Sequence, residues 1–356
     1  MDETTKRLIQ EVKKVIVGKD EVIARIWMAI LARGHVLLED VPGVGKTTMA
    51  LAFARVLGLE VKRVQFTPDT MPSDIIGFSA FYQGNLQYQP GAVMTNLLLA
   101  DEINRTSPKT QSALLEAMEE GRVTVDGVTH PLPTPFVVLA TQNPVGSAGT
   151  QNLPNSQLDR FLMRLSMGYP DRKSQVNILK DRHESDPLST VEPVLTRETL
   201  VAVVEAAEKT YVSDPIYDYI AALAEATREH PMVQLGVSPR GAMALCRTAK
   251  ARAFTAGRDY VLPEDVQAVA EFVLAHRLML SSKARLNDRT AEDILGEILA
   301  SVPVPGCRSG ANETAGLVVP DGRLCLGLHA GPWKRFRGLG CCVIFAGISP
   351  GACCGR

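Results

Sequence analysis

His35-Val-Leu-Leu-Glu39, followed directly by Asp40-Val-Pro-Gly-Val-Gly-Lys-Thr47, is the stretch that decides the fold. An apolar run of strand length gives way to a glycine turn and then to a helix-forming stretch, roughly Lys46–Leu57. Strand, glycine loop and helix in that order make a phosphate-binding loop. The full pattern has Gly at both ends, and here the first place is Asp40. The working parts remain. Gly43 and Gly45 let the backbone turn sharply, so that consecutive N–H groups point at phosphate oxygens. Pro42, Val44 and Thr48 belong to the same loop and helix start. Lys46 would reach the β- and γ-phosphates, and the Thr47 hydroxyl would hold Mg²⁺. The positive end of the following helix faces the same anion.

A second feature answers the first about 55 residues later. Leu97-Leu-Leu-Ala-Asp101-Glu102 is an apolar strand that delivers two carboxylates at its C-terminal end. Phosphoryl transfer to water needs a cation on the phosphate oxygens and a group that positions the attacking water. Asp101 suits the first task, holding Mg²⁺ through its water shell, and Glu102 the second. An acidic pair after a buried strand often marks only where a chain reaches solvent. Behind a phosphate loop it reads as chemistry.

Composition narrows the class. The 356 residues can form two domains with cores of their own. The net charge of −1 gives no support for nucleic acid bound by bulk charge. No apolar run is long enough to span a bilayer, and Met1-Asp-Glu-Thr-Thr-Lys-Arg7 lacks the apolar core of a secretion signal. A cytoplasmic protein without membrane insertion is expected. Six of the seven cysteines fall after residue 306, as do 10 of the 28 glycines. Residues 306–356 carry six basic and two acidic groups and show no helical or alternating period. Cys341-Cys342 and Cys353-Cys354 are adjacent pairs, without the spacer that lets two sulfurs face one metal. A non-native terminus, such as a shifted reading frame, is preferred to a disordered extension or a metal site, and no function is assigned to it.

Between the ends, strand-like runs at 35–39, 61–66, 97–101, 136–141 and 162–168 alternate with helical stretches, including 107–119 and 171–182. Alternation of this kind implies a parallel sheet covered on both faces. Two segments carry hairpin chemistry. Residues 78–90 surround Gln83-Gly84-Asn85, and 122–132 pairs Val123-Thr-Val125 with Val128-Thr-His130 across Asp126-Gly127. After about residue 187 strands are expected to stop, and helices read at 196–209, 214–229, 239–255, 263–279 and 289–300. The expected domains are 1–187 and a helical 188–305, with the boundary near 186–193. Trp27, Met28 and Ile30 read as core, and the stripe Leu274–Leu280 as helix packing. His35, His130, His183, His230 and His276 show no metal-ligand spacing.

Ala100-Asp-Glu-Ile-Asn-Arg105, then Pro108-Lys-Thr-Gln-Ser-Ala-Leu-Leu-Glu-Ala-Met-Glu-Glu120, Ala140-Thr-Gln-Asn-Pro144 and Leu158-Asp-Arg-Phe161 resemble the signature of MoxR-type ATPases of the AAA+ superfamily. The resemblance covers about residues 3–304. It implies a P-loop NTPase (AAA+) α/β domain with a helix-2 insert (78–90) and a pre-sensor-1 hairpin (122–132), followed by an all-α lid. That family commonly has Glu-Asp or Glu-Gly before Val-Pro-Gly, so Asp40 is a family variant. ATP/ADP and Mg²⁺ are the implied cofactors. The resemblance makes Asn143 sensor 1, Arg160 an arginine finger reaching a neighbour's nucleotide, and Arg240 sensor 2, completing the chain's own site from the lid. Val17 and Gly18 fit the adenine-side element, with Lys19 where Gln is usual. Arg105 reads equally as an interface arginine or as one half of a salt bridge within its motif. Departures cluster at Thr106-Ser107 and at residues 146–152.

The implied activity is Mg²⁺-dependent ATP hydrolysis by a ring, most simply a hexamer. Such a ring would remodel partners, which in this family include von Willebrand factor A-domain proteins and client enzymes. A nucleotide-gated binding module with incidental hydrolysis is the alternative. A DNA-associated AAA+ ATPase is disfavoured, because residues 1–305 carry 32 basic against 37 acidic groups and no basic stripe.

Overall fold

A computed structural model describes residues 3–39, 43–82, 84–142, 153–181 and 187–306. Five strands form the central sheet: β1 (Val36–Glu39), β2 (Val61–Gln65), β3 (Leu97–Asp101), β4 (Val137–Gln142) and β5 (Met163–Leu165). Their order is β2-β3-β4-β1-β5, and every pairing is parallel. Leu37 faces Ala140 across one pair, and Leu99 faces Leu139 across another.

The apolar runs explain why the sheet is buried on both sides. Successive side chains of a strand point to opposite faces. Val36, Leu38, Leu97, Leu99, Val137 and Leu139 join one apolar cluster, whereas Leu37, Leu98, Ala100, Val138 and Ala140 join another. The first face is covered by the helices Glu3–Lys13, Asp20–Leu31 and Lys46–Val56, with Trp27 fully buried and its indole N–H donating to Thr5 Oγ1 at 3.0 Å. The second is covered by Pro108–Glu120, with Leu114, Leu115 and Met118 inward. A parallel sheet has no solvent face, so its strands read as unbroken hydrophobic runs.

Both hairpins form. Gly77–Tyr82 pairs antiparallel with Asn85–Pro90, and Arg122–Val125 with Val128–Pro131. Asp126 and Gly127 have φ of +51° and +79°, as a two-residue type I′ turn requires. Tyr88 stacks on His130 at 3.8 Å between ring centroids, so the hairpins support one another.

The later part of the chain is helical: Arg197–Glu208, Asp214–Glu229, Pro239–Thr255, Pro263–Leu274 and Ala291–Ser301. Ser238 caps the third of these, its Oγ accepting from the Gly241 N–H at 3.2 Å. Two expectations fail here. Strands do not stop after residue 187, because Val233–Leu235 pairs antiparallel with Met279–Leu280. Nor does a helix run to 279: it ends at Leu274 and passes through a short 3₁₀ turn, Ala275–Arg277. The cause is local. The Arg277 guanidinium turns inward and takes the carbonyl oxygen of Val273. Met279 and Leu280 then read as a stripe but form a strand. Asp186 in the expected boundary, His183 and the tail from residue 307 lie outside the described residues. No helix among the described residues is long and apolar enough to cross a membrane.

Candidate functional site

Parallel strands put all their C-terminal ends on one edge of the sheet. The loop after β1 therefore lies on the same edge as Asp101 and Glu102, which end β3. Gly43 and Gly45 carry φ of +84° and +94°, where an L side chain is strained, and among the described residues no atom beyond their chain neighbours lies within 4 Å of where a Cβ would stand. Among those residues nothing therefore covers the backbone on the side where an anion would seat. Lys46 and Thr47 open the helix Lys46–Val56, and Lys46 is 8% exposed. Val44 and Thr48 are half-buried beside them, whereas Pro42 lies outside the described residues. An open glycine backbone, an ammonium, a hydroxyl and a nearby carboxylate are the donor set that a Mg²⁺-nucleotide asks for.

The acidic pair is held by a residue that sequence reading passed over. Thr141 Oγ1 accepts the Glu102 N–H at 2.9 Å and donates to Asp101 Oδ1 at 3.2 Å. Glu102 takes a left-handed backbone, φ +57°, so this single hydroxyl fixes both the turn and the first carboxylate. The other oxygen of Asp101 accepts from Arg63 Nε at 2.7 Å. Arg105 Nη1 reaches Glu102 Oε2 at 2.8 Å, so among its two readings the salt bridge within the motif is the one formed. Thr141 sits in the quoted run Ala140–Pro144, and its signal was a hydroxyl at the end of a buried strand. Asn143, two residues further, lies outside the described residues.

Val17 and Gly18 lie between the first two helices, half-buried and exposed respectively. Gly18 has φ +72°, and a Cβ there would stand 2.3 Å from Ser174 Oγ. Lys19 donates to the carbonyls of Met167 and Tyr169, the latter at 2.9 Å, which ties this element to the chain after β5.

Arg160 and Arg240 are brought together, away from the loop. Both reach one carboxylate: Arg160 Nε lies 3.3 Å from Glu119 Oε2, and Arg240 Nη1 lies 2.9 Å from Glu119 Oε1. Glu119 follows Met118, whose carbonyl oxygen accepts from His35 Nε2 at 3.0 Å. His35 stands just before β1, and its carbonyl accepts the Leu162 N–H at 2.8 Å, just before β5. The trio therefore occupies the N-terminal edge of the sheet. The full length of β1, about 13 Å for four residues at ~3.3 Å each, separates it from the glycine loop. Arg240, expected to complete its own chain's site, thus stands beside Glu119 at the start of the lid helix.

Two buried histidines and two arginines back this edge. Burial pushes His35 down to about 4, with Arg247 and Arg240 adding to the effect against the Met118 hydrogen bond. Val138 N–H donates to His35 Nδ1 at 3.0 Å, so the neutral ring carries its proton on Nε2. His276 is likewise held well below its usual range, by burial and then by Arg277. Arg277 itself is lowered to about 10 by burial, with Asp159 opposing. Its Nε donates to Asp159 Oδ1 at 2.8 Å, and Nη2 to the Phe161 carbonyl at 2.7 Å. It so grips both neighbours of Arg160. An arginine inside the apolar stripe 274–280 was its visible signal. No group of metal-ligating side chains is assembled among the described residues.

A glycine loop and acidic pair at the C-terminal edge of a five-stranded parallel sheet, with a helical lid following, define an AAA+ nucleotide-binding unit. The family model for the ATPase family associated with various cellular activities matches residues 35–163, and that for the AAA lid domain matches 225–298. The chain is 50% identical over 305 residues to YeaC of Bacillus subtilis, covering 85% of this chain and 95% of that protein. It is 40% identical to Chaperone MoxR1 of Mycobacterium tuberculosis, over 85% of this chain and 82% of that one. A crystal structure of a candidate ATPase from Cytophaga hutchinsonii superposes with a TM-score of 0.79 at 39% identity, covering 85% and 94%. The chain belongs to the MoxR-type AAA+ ATPases.

Proposed function

We propose that this protein is a Mg²⁺-dependent ATPase that works as a ring, most simply a hexamer, and uses turnover to remodel or activate partner proteins. Residues 1–187 are taken as the nucleotide-binding core and 188–305 as its lid. The single observation that carries the ring is the division of charge between the two sheet edges. Loop and carboxylates stand on one, the paired arginines on the other, and a single chain cannot bring them to one phosphate. A neighbouring copy presenting its N-terminal edge can.

In that arrangement Gly43, Gly45 and Lys46 bind and orient the triphosphate, and Asp101 with Thr47 would hold Mg²⁺, which supplies charge neutralisation on the phosphate oxygens. Glu102, fixed by Thr141, orients water and accepts its proton. Arg160, and with it Arg240, come from the next subunit and neutralise charge as it builds on the phosphate, a contribution on the order of 10³-fold or more for such arginines. Asn143 is proposed to hold the same water from β4. The chaperone name of the Mycobacterium relative supports the remodelling role.

Mixing tests this directly. Glu102→Gln and Arg160→Ala proteins should each be nearly inactive alone. Mixed, they should recover turnover, because some interfaces join an intact Glu102 to an intact Arg160. Absence of recovery in rings shown to mix would sink the trans reading.

A further inference from the structure

We propose that Glu119 is a positioning residue for the two arginines: its carboxylate holds Arg160 and Arg240 side by side, so that they meet a neighbour's phosphates as one preformed fork. The inference deepens the trans reading above and rests on it.

Three separate elements converge on this carboxylate. Glu119 stands in the last turn of the core helix Pro108–Glu120, Arg160 follows the short helix Asn155–Leu158, and Arg240 lies in the first turn of the lid helix Pro239–Thr255. Each oxygen of Glu119 takes a different guanidinium, at 3.3 Å and 2.9 Å. Without the carboxylate, two like charges this close would repel and splay apart. With it the trio keeps one net positive charge, which still favours an arriving phosphate.

Exposure fits a site that must be met from outside. The side chains of Arg160, Glu119 and Arg240 are 31%, 37% and 36% exposed. Glu119 and Arg160 border an open polar cleft of about 560 Å³, lined also by Glu116, Ser156 and Gln157. Buried behind them, Arg277 donates to the backbone carbonyls on both sides of Arg160, those of Asp159 and Phe161. Arg160 is thereby set from two directions, its backbone by the lid and its guanidinium by Glu119. Ion pairs this exposed contribute little to folding, on the order of 1 kcal/mol or less. What such a contact can contribute is geometry, and misplacing a catalytic group by about 1 Å can cost on the order of a hundredfold in rate.

The test is steady-state ATP turnover by assembled rings of Glu119→Ala, Glu119→Gln and Glu119→Asp, with ring size checked for each. Glu119→Ala should lower kcat about tenfold to a hundredfold at an unchanged KM for ATP, and Glu119→Asp should recover part of it. In an Arg160→Ala background, Glu119→Ala should cost much less than in the native protein, because the group it positions is gone. Unchanged or raised kcat in Glu119→Ala overturns the proposal, as do losses that simply multiply in the double variant. Loss of ring assembly in both the Ala and the isosteric Gln variants also overturns it, since the contact would then be structural. Full turnover in Arg160→Ala would instead sink the trans reading itself.

Discussion

Arg277 closes on Asp159, its Nε 2.8 Å from Oδ1, and so ties the lid to the residue that precedes Arg160. The same guanidinium donates to the carbonyls of Asp159, Phe161 and Leu162. Such an arginine, nearly inaccessible to water, is stable only because its donors are used. Arg277→Ala removes one donor from the Asp159 carboxylate and one from each of four carbonyls, that of Val273 included, and should cost about 3–5 kcal/mol. Urea unfolding followed by circular dichroism reads this. Asp159→Asn, which keeps a hydrogen-bond acceptor, should cost clearly less.

Thr141 offers a gentler way into the acidic pair. Thr141→Val keeps the shape but takes the acceptor from the part-buried Glu102 N–H, a cost of about 1 kcal/mol or somewhat more. Asp101 also loses one donor. The variant should fold, bind nucleotide with affinity close to native, and turn over roughly tenfold more slowly as Glu102 loses its fixed place. Fluorescent nucleotide titration beside a phosphate-release assay separates the two effects. Native turnover would mean that Glu102 keeps its place without the hydroxyl.

The strands of the central sheet and both hairpins were legible because their signals are local: apolar runs, Asp126-Gly127, Gln83-Gly84-Asn85. The loop and Asp101-Glu102 were legible because their chemistry needs contiguous residues. Glu119, Thr141 and Arg277 were not, since their roles exist only after distant segments meet. Glu119 lies 41 residues before Arg160 and 121 before Arg240 in the chain. Arg240 shows the difference most sharply: its helix start was visible, but which sheet edge the lid occupies was not. Arg277, which ties the lid to Asp159, lies in the 3₁₀ turn that interrupts an otherwise helical pattern.

Glu102→Gln distinguishes a motor from a nucleotide-gated module. The side chain keeps its size and can still accept from Arg105, so folding and nucleotide binding should be near native. Turnover should fall at least a hundredfold, because an amide cannot take the proton of the attacking water. If hydrolysis drives release, tagged Glu102→Gln protein in ATP should retain partners that native protein lets go. A module governed by occupancy alone would release them on nucleotide washout in both proteins, at equal rates.

Acid should weaken the fold well before its carboxylates titrate. His35 titrates near 4 in the folded chain and His276 also lies well below the ordinary 6.5, so the unfolded chain takes up protons first. Stability then rises with pH through this window and is lost as pH falls from about 6.5 toward 4. Each histidine contributes at most ~1.4 kcal/mol per pH unit. Carboxylates held low, such as Glu11 and Asp171, act only below their unfolded values of about 4.5 and 3.8. Urea midpoints at pH 7.5, 6.0 and 5.0 should therefore fall steadily with acid. In His35→Gln, whose amide offers both an acceptor and a donor without a titrating group, the drop between pH 6.0 and 5.0 should be visibly smaller. An identical slope in native and variant proteins would show that the ring of His35 stays uncharged in the unfolded chain too, or that it titrates equally in both states.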